Sequence, residues 1–328
     1  MTSSTTGTAE LPRPKALSEV KGWFRAVDQQ LFDWFLSGQL DRAQRGDLLE
    51  LGAYMGKSAI FMASYRRDED AFTVCDLFDS TAPDAANLKE MNKSYSTLTR
   101  RAFEANFAAF HERLPEVIQA PTSVVADRVA DDSCRFAHID ASHLYEHVYG
   151  DIEAVRDILL PDGVVVLDDY RAEHCPGVAC ATWGAVATLG LHPICVTGTK
   201  FYGTWGDPEP LRDALLEWLA GRDDMWHEVQ QVAGHGMIRI DGRKATEPKH
   251  PVSRYAGEEE PSAPAETQTA PAAAPPAVPV QRTASSRPGP ARPATAAPAA
   301  RPSRARRLAK DLLPPIVTRA LVKRRRGR

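Results

Sequence analysis

An α/β fold, with a doubly wound and mostly parallel sheet between two layers of helices, is predicted by three features of the sequence. Short apolar runs that end in acidic residues alternate with helical apolar patterns over residues 47–170, as expected for parallel strands joined by crossover helices. Gly52 and Gly56 separate the first run from the first of these helices, which is typical of a tight strand-to-helix loop. Thr197, Gly198 and Thr199 lie between two strand-like runs and predict a closing antiparallel hairpin.

The individual elements follow from the spacing of the apolar residues. An aromatic-rich pattern with helical spacing predicts a helix over residues 18–38, before the first strand. A second long helix is predicted over residues 144–160. The remaining apolar runs predict strands at 71–75, 117–120, 136–143 (running into a loop), 164–167, 192–196, 200–205 and 226–240.

Composition divides the 328 residues into four parts. Residues 1–15 are polar and are expected to be disordered, and residues 16–243 hold the α/β domain. Residues 244–303 are dense in Pro, Ala, Ser and Thr, and we expect a disordered linker because such a segment cannot offset its ordering entropy. Residues 304–328 hold ten Lys or Arg residues and one Asp among apolar side chains, which predicts a basic amphipathic tail.

The sequence leaves three alternatives open for this tail: an anionic membrane surface, the acidic domain of the same chain, or no partner. Nucleic acid is not expected, because no aromatic platform accompanies the charge. We read no signal peptide or membrane-spanning run, and the five cysteines are scattered. A cytoplasmic location with reduced thiols is therefore expected, at the inner face of the membrane if the tail binds there. The oligomeric state is left open.

The loop at residues 52–58 is a candidate nucleotide site, and two nucleotide classes fit it poorly. A nicotinamide fingerprint requires glycines at the third and sixth positions, where this chain has Tyr54 and Lys57. A phosphate-binding P-loop requires four residues between its first glycine and the Gly-Lys-Ser triplet. Only three lie between Gly52 and Gly56, so the loop is one residue short.

S-adenosylmethionine fits the loop better. Glu50 ends the strand and is predicted to bind the ammonium group of the ligand, while Gly52 and Gly56, together with Ser58, let its methionine portion approach the backbone. Asp76 ends the next strand and is predicted to accept hydrogen bonds from the ribose hydroxyls. Two plainer interpretations stay open: an ordinary strand-to-helix turn at the glycines and a helix cap at the aspartate.

A second group of titratable residues follows two later strands. Asp140 and the pair Asp168 and Asp169 stand at strand ends, and three carboxylates in one crevice repel one another unless a cation is present. Oxygen ligands favour Mg²⁺, so these three residues are predicted to hold it, with Asp140 also beside the cofactor. His143 is predicted to be the general base for a metal-bound hydroxyl, and His174 is the next candidate.

Three motifs, at residues 50–58, 138–146 and 167–170, resemble those of class I S-adenosylmethionine-dependent methyltransferases. More narrowly, they resemble the branch of the macrocin- and mycinamicin-type sugar O-methyltransferases, as do residues 175–178 and 198–200. The resemblance implies a Rossmann-like methyltransferase fold, Mg²⁺ held at positions 140, 168 and 169, and a base at position 143. The glycine loop departs from alternating glycines, and residues 80–92 resemble no single member, which leaves the acceptor open.

The sequence therefore predicts an S-adenosylmethionine-dependent O-methyltransferase, assisted by Mg²⁺, that acts on a hydroxyl group of a sugar or another small secondary metabolite. One alternative is a P-loop-like phosphotransferase that uses residues 56–58. The other is a non-catalytic binding protein that keeps the cofactor fold and is anchored by its basic tail.

Overall fold

The computed structural model describes residues 11–81 and 98–258. These residues form a nine-stranded mixed sheet with helices on both faces. The helices are α1 (Ala26–Asp41), α2 (Lys57–Ala63), α3 (Arg100–Ala108), α4 (Tyr145–Ile158), α5 (Pro176–Thr188) and α6 (Glu209–Ala220). The strands are β1 (Asp47–Leu51), β2 (Phe72–Asp76), β3 (Glu116–Gln119), β4 (Cys134–Ile139), β5 (Leu159–Leu167), β6 (His192–Val196), β7 (Phe201–Thr204), β8 (Trp226–Val232) and β9 (His235–Asp241).

The strand order is β3-β2-β1-β4-β5-β7-β6-β9-β8. Strands β1 to β5 pair in parallel, whereas β7 is antiparallel to both β5 and β6. The predicted parallel sheet with a C-terminal antiparallel hairpin is confirmed. The order reverses between β1 and β4, and ligands of open α/β sheets bind at such a switch point, outside the carboxyl ends of the strands.

Two apolar cores cover the two faces of the sheet. One core packs α1, α2, α3 and α6 on the sheet, with several aromatic side chains at its centre: Phe32, Phe35, Phe61, Phe72, Phe103 and Phe107. The other core packs α4 and α5 on the opposite face, with aliphatic side chains such as Val148, Ile152 and Val155. This two-sided burial explains why the central strands are apolar on both faces and have no alternating pattern.

The structure differs from the predicted elements at two places. The predicted helix at residues 18–38 begins later, at Ala26, because Gly22 (φ 146°) lies in extended chain that leaves Trp23 76% exposed. The predicted strand at residues 226–240 is instead the hairpin of β8 and β9. Ala233 and Gly234, with φ of 53° and 85°, form its turn, and two positive φ values suit the right-handed twist of the flanking strands.

The packed chain continues beyond the predicted boundary at residue 243. Ser253 is buried and donates a hydrogen bond to the carbonyl of Pro14 at 2.6 Å, and His250 contacts Gln29 at 2.6 Å. These side chains join the two ends of the described chain, which composition alone does not reveal. The rest of the predicted linker and the basic tail lie outside the described residues, so membrane binding and cytoplasmic location stay predictions. In the described ranges, every helix is too short or too polar to cross a membrane.

A buried ion pair holds the sheet to α1 and to the chain after α2. Arg135, on β4, is 0% exposed and donates to Asp70 at 3.0 Å, to the carbonyl of Tyr65 at 2.8 Å and to Gln39 at 3.1 Å. Arg67 also pairs with Asp70, at 3.2 Å. Because Asp70 has two cationic partners and Arg135 has one anionic partner, the two ends of the pair are not equivalent.

This asymmetry predicts different costs for the two single substitutions. Asp70→Asn leaves the Arg135 guanidinium buried without an anion, and we expect a loss of about 3–5 kcal/mol in the free energy of unfolding. Arg135→Met should cost less, because Asp70 keeps Arg67. Urea unfolding of both variants measures the difference, with the exposed Asp68→Asn as control. Equal losses in the two variants would contradict the assignment.

Candidate active site

The predicted site residues meet at the carboxyl ends of β1, β2, β4 and β5, at the switch point of the sheet. A cavity of about 1830 Å³ opens there. The residues that line it include most of those predicted from the sequence: Gly52, Ser58, Asp76, Asp140, His143, Asp168, Asp169 and His174. Glu50 and Gly56 do not line it.

Gly52 is required by a close approach between two strands. Its φ is 79°, and a Cβ atom there would lie 2.2 Å from the carbonyl oxygen of Asp140, so a side chain is excluded. Gly56, with φ 92°, begins α2 and packs against the ring of Phe103. It lets the chain turn into α2 and does not line the cavity, and its predicted contact with the cofactor stays a prediction.

Asp76 holds the glycine loop in shape. Its carboxylate accepts hydrogen bonds from the backbone N–H groups of Ala53 at 2.8 Å, Tyr54 at 3.0 Å and Phe78 at 2.7 Å. Burial raises the pKa of Asp76, and these three donors oppose the rise. Asp76 also lines the cavity, so the same carboxylate can order the loop and face a ligand. Ribose binding by Asp76 stays a prediction.

Glu50 is placed differently from the prediction. Its side chain is 0% exposed and its Oε1 lies 2.7 Å from Nδ1 of His138, on the neighbouring strand β4. Burial raises the pKa of Glu50 to about 8, against the lowering effects of Ser58 and Lys200. Glu50 is buried and does not line the cavity, and binding of the ligand's ammonium by Glu50 stays a prediction.

Lys200 continues this chain of buried polar groups and was not among the predicted site residues. Its ammonium lies 2.9 Å from Nε2 of His138 and pairs with Oδ2 of Asp168. An ammonium can only donate, so Nε2 of His138 accepts and Nδ1 carries the proton that is donated to Glu50. Burial, followed by the nearby Lys200 charge, lowers the pKa of His138 well below its ordinary value, which keeps this imidazole neutral.

Asp140 and Asp168 lie close together beside Lys200, with carboxylate oxygens within 4.8 Å of each other. Burial, then the charge of Asp168, raises the pKa of Asp140 well above its ordinary value. Two neighbouring carboxylates repel each other. The ammonium of Lys200, which pairs with Asp168, supplies a positive charge that offsets this repulsion.

His143 and Asp169 form a second pair at the same cavity. Nε2 of His143 lies 3.5 Å from Oδ2 of Asp169, and the two side chains are 23% and 29% exposed. The hydrogen bond from His143 is the main cause of a lowered pKa of Asp169. The ring of His174 stands 5.9 Å from that of His143. An imidazole oriented by a carboxylate is the arrangement of a general base.

The sequence matches the model of a family described as "Methyltransferase domain" over residues 49–170, which contain β1 to β5 and the whole of this group of carboxylates and histidines. Residues 49–170 therefore form a methyltransferase domain. The predicted S-adenosylmethionine-dependent enzyme class is confirmed, and the P-loop alternative is not favoured. Lys57, which a P-loop would direct at phosphates, instead donates to the carbonyl of Gly22 at 3.2 Å.

Solved structures similar to this chain include O-methyltransferases. The O-methyltransferase NovP is 18% identical, with 55% of this chain and 79% of NovP covered and a TM-score of 0.45. CalS11, described as a TDP-rhamnose 3′-O-methyltransferase, is 17% identical, with 56% and 82% covered and a TM-score of 0.39. The methyltransferase PaMTH1 of Podospora anserina, bound to S-adenosylhomocysteine, is 15% identical, with 59% and 89% covered and a TM-score of 0.41. At these identities the likenesses do not establish a substrate.

No curated protein sequence matches this chain significantly. The assignment to the methyltransferase class therefore comes from the family match and from the fold, and the residue roles come from the geometry of this chain.

The predicted Mg²⁺ ligands do not form one set in the methyltransferase domain. Ligand atoms of Asp140 and Asp168 come together with His138, while Asp169 lies with His143 and Cys175. In the described parts of the chain, none of the groups able to hold a metal ion unites all three predicted carboxylates. Lys200 already neutralises the first pair. The residues present therefore do not fit the predicted ion, and the prediction of Mg²⁺ is not supported by this arrangement.

Two residues that complete the site, Asp28 and Lys200, were missed by sequence reasoning. Asp28 lies fully buried on α1 and accepts hydrogen bonds from Thr197 at 2.8 Å, Thr199 at 2.7 Å and Tyr202 at 2.9 Å. A signal was present in each case: a single acidic residue within an aromatic helical pattern, and a lysine inside an apolar hairpin. Charged residues are rarely buried unless they are paired, so Asp28 and Lys200 could have been predicted to have buried polar partners.

The buried acid Asp151, on α4, predicts a pH dependence of stability. Burial raises its pKa from an ordinary 3.8 to about 7, against a hydrogen bond from Thr122. Below pH 3.8 both folded and unfolded chains hold the proton, so the full stability is present. Between that pH and about 7 the unfolded chain loses the proton of Asp151 while the folded chain keeps it. The free energy of unfolding therefore falls over this window as pH rises.

Asp151→Asn should remove this fall, because the amide does not ionise. As pH rises from 4.5 to 7, we expect the variant to become more stable than the parent. Its free energy of unfolding should exceed that of the parent by a few kcal/mol at most. Urea unfolding at a series of pH values measures it, with the exposed Asp213→Asn as control. A difference that does not change with pH would show that Asp151 ionises normally.

Proposed function

We propose that this methyltransferase domain transfers the methyl group of S-adenosylmethionine to a hydroxyl oxygen of a sugar or another small secondary metabolite. The observation that carries the proposal is the pairing of His143 with Asp169 in the same cavity as Gly52, Ser58 and Asp76. One cavity thus contains both a loop suited to the cofactor and a histidine suited to accept the proton of the hydroxyl group.

The cofactor is expected to lie along the ends of β1 and β2. Gly52, Ser58 and Asp76 line the cavity there; in the proposed mode, Ser58 and the backbone near Gly52 bind the methionine portion and Asp76 binds the ribose. Because Asp76 is held by three backbone donors, it is fixed before the ligand arrives, which lowers the entropic cost of binding. Asp140 lies on the floor between this region and His143, where the methyl group and the acceptor would meet.

The chemistry of the transfer requires a proton acceptor for the hydroxyl. As the bond between sulfur and the methyl carbon breaks, its electrons stay on sulfur, and the acceptor oxygen forms the new bond to carbon. The hydroxyl proton goes to His143, at Nδ1, since Nε2 faces Asp169. Asp169 stabilises the imidazolium that results, and catalysis is otherwise positioning of the two reactants.

The small-molecule acceptor is supported by the size of the cavity and by its mixed lining. A volume of about 1830 Å³ exceeds what one cofactor of this kind needs. NovP and CalS11, which the fold resembles, are described as O-methyltransferases, the second acting on TDP-rhamnose. We propose an acceptor of that general class. The non-catalytic alternative would keep cofactor binding and show no turnover.

The first test of the proposal is cofactor binding. The parent chain should bind S-adenosylhomocysteine in calorimetry, and neither ATP nor NAD. Asp76→Asn should weaken this binding by roughly 1.5–3 kcal/mol, since a charged hydrogen bond to the ribose and the order of the loop are lost. The exposed Asp131→Asn is the matched control. Unchanged affinity in the Asp76 variant would remove the ribose assignment.

The second test is catalysis by His143. With radiolabelled S-adenosylmethionine and a panel of nucleotide-linked and free sugars, His143→Ala should lower the rate by about 10²–10⁴. Affinity for S-adenosylhomocysteine should stay the same, because the loss lies in the transition state. His227→Gln, on β8, serves as control. If His143→Ala is as fast as the parent and His174→Ala is slow, the base is His174.

A further inference from the structure

Three carboxylates in one crevice need a positive charge, and the chain itself supplies one. Lys200 precedes β7, is 2% exposed and lines the cavity. Its ammonium pairs with Asp168, one of the three predicted metal ligands, and lies 2.9 Å from Nε2 of His138.

The backbone around Lys200 fixes its position. The N–H of Lys200 donates to Oγ1 of Thr197 at 2.9 Å, and the N–H of Thr197 donates to the carbonyl of Lys200 at 2.9 Å. Thr197 and Thr199 donate in turn to the buried carboxylate of Asp28. This turn therefore directs the side chain inward, to the wall of the cavity, and prevents the extension to solvent that lysines usually adopt.

Aromatic side chains close the space around the ammonium. The rings of Phe24 and Phe32 each lie 5.9 Å from Nζ, a distance at which a ring face attracts a cation. Burial opposes the charged form, but Asp168, Asp140 and Asp28 together raise the pKa of Lys200. The ammonium is thus a permanent charge with fixed partners.

We propose that the ammonium of Lys200 takes the place of the predicted divalent cation, so that this methyltransferase works without a metal ion. The inference rests on the proposed function. A divalent ion at Asp140 and Asp168 would have to displace the ammonium that already pairs with Asp168. Asp169, the third predicted ligand, is engaged with His143.

In this arrangement Lys200 acts electrostatically on the acceptor. Negative charge develops on the hydroxyl oxygen while His143 takes its proton, and a buried positive charge favours that change. The ammonium of Lys200 lies in a buried region of low dielectric constant, where its electrostatic effect is larger than in water. Burial and the charge of Lys200 also lower the pKa of His138, whose Nε2 lies 2.9 Å from the ammonium, which leaves His143 as the base of the set. Lys200 is therefore a positioning residue for the carboxylates and an electrostatic group for the transfer.

The deciding experiment is titration of Mn²⁺, followed by electron paramagnetic resonance, on the full chain with S-adenosylhomocysteine bound. The parent should show no specific Mn²⁺ site, with any Kd above about 1 mM. Turnover should be unchanged in excess EDTA. A Mn²⁺ site with a micromolar Kd that Asp168→Asn removes, or turnover lost in EDTA and restored by Mg²⁺, would overturn the inference.

Variants at Lys200 separate its role from a purely structural one. Lys200→Met should bind Mn²⁺ at least about tenfold more tightly than the parent, because the Asp140–Asp168 pair is left without a cation. Its turnover should fall about 10²–10³-fold, with partial recovery in Lys200→Arg. The exposed Lys244→Met is the control. Full turnover in Lys200→Met without Mn²⁺ binding would contradict the proposal.

If Lys200→Met does not fold, the measurements on the parent decide the question by themselves. The same experiment distinguishes two kinds of failure. A parent that does not bind S-adenosylhomocysteine would contradict the proposed function. A parent that binds S-adenosylhomocysteine and also holds Mn²⁺ at Asp168 would keep the proposed function and exclude only the role of Lys200.

Discussion

The site depends on one buried ion pair, between Lys200 and Asp168. Removing an ammonium from water is costly unless anions surround it, and here the surrounding groups come from four elements: Asp168 after β5, His138 on β4, Glu50 on β1 and Asp28 on α1. The pair therefore links strands that are distant in sequence. Nδ1 of His138 donates to Glu50, while Asp168 pairs with the ammonium beside the cavity.

The two halves of the site lie on either side of the switch point and are joined by Gly52. Asp76 and the glycine loop belong to β1 and β2, whereas Asp140, His143 and the Asp168–Asp169 pair follow β4 and β5. The backbone of Gly52 packs directly on that of Asp140, so the loop that faces the cofactor and the strand that carries the carboxylates cannot move independently. A rigid join of this kind suits a transfer in which two reactants must be aligned.

A divalent cation and a lysine can both offset the repulsion between neighbouring carboxylates. Carboxylates at the ends of neighbouring parallel strands are brought together by the fold, and the resulting repulsion has to be offset by a positive charge or a proton. In this chain the positive charge comes from Lys200, which pairs with Asp168. The hairpin beside the parallel strands thus supplies the group that offsets the repulsion between these carboxylates.

Much of the architecture was predictable from local sequence, because each signal acts within a few residues. Apolar runs and helical periods located β1, β2, β4 and β5, and the turn at residues 197–199 located the hairpin. Strand ends in α/β sheets share one edge, so the convergence of Asp76, Asp140, His143 and Asp168 also followed from sequence. The start of α1, the β8–β9 turn and the packing of residues 244–258 did not, since those features depend on distant contacts.

The sequence by itself determined the class of the domain and most of the residue types that line the cavity. Only the tertiary structure decided which of those residues face the cavity. It buried Glu50 against His138, turned Asp169 to His143, and brought Lys200 from a hairpin outside the family match to the carboxylate at position 168. The physical reason is that burial and charge pairing are properties of neighbours in space, and a lysine 32 residues beyond Asp168 leaves no local pattern of that pairing.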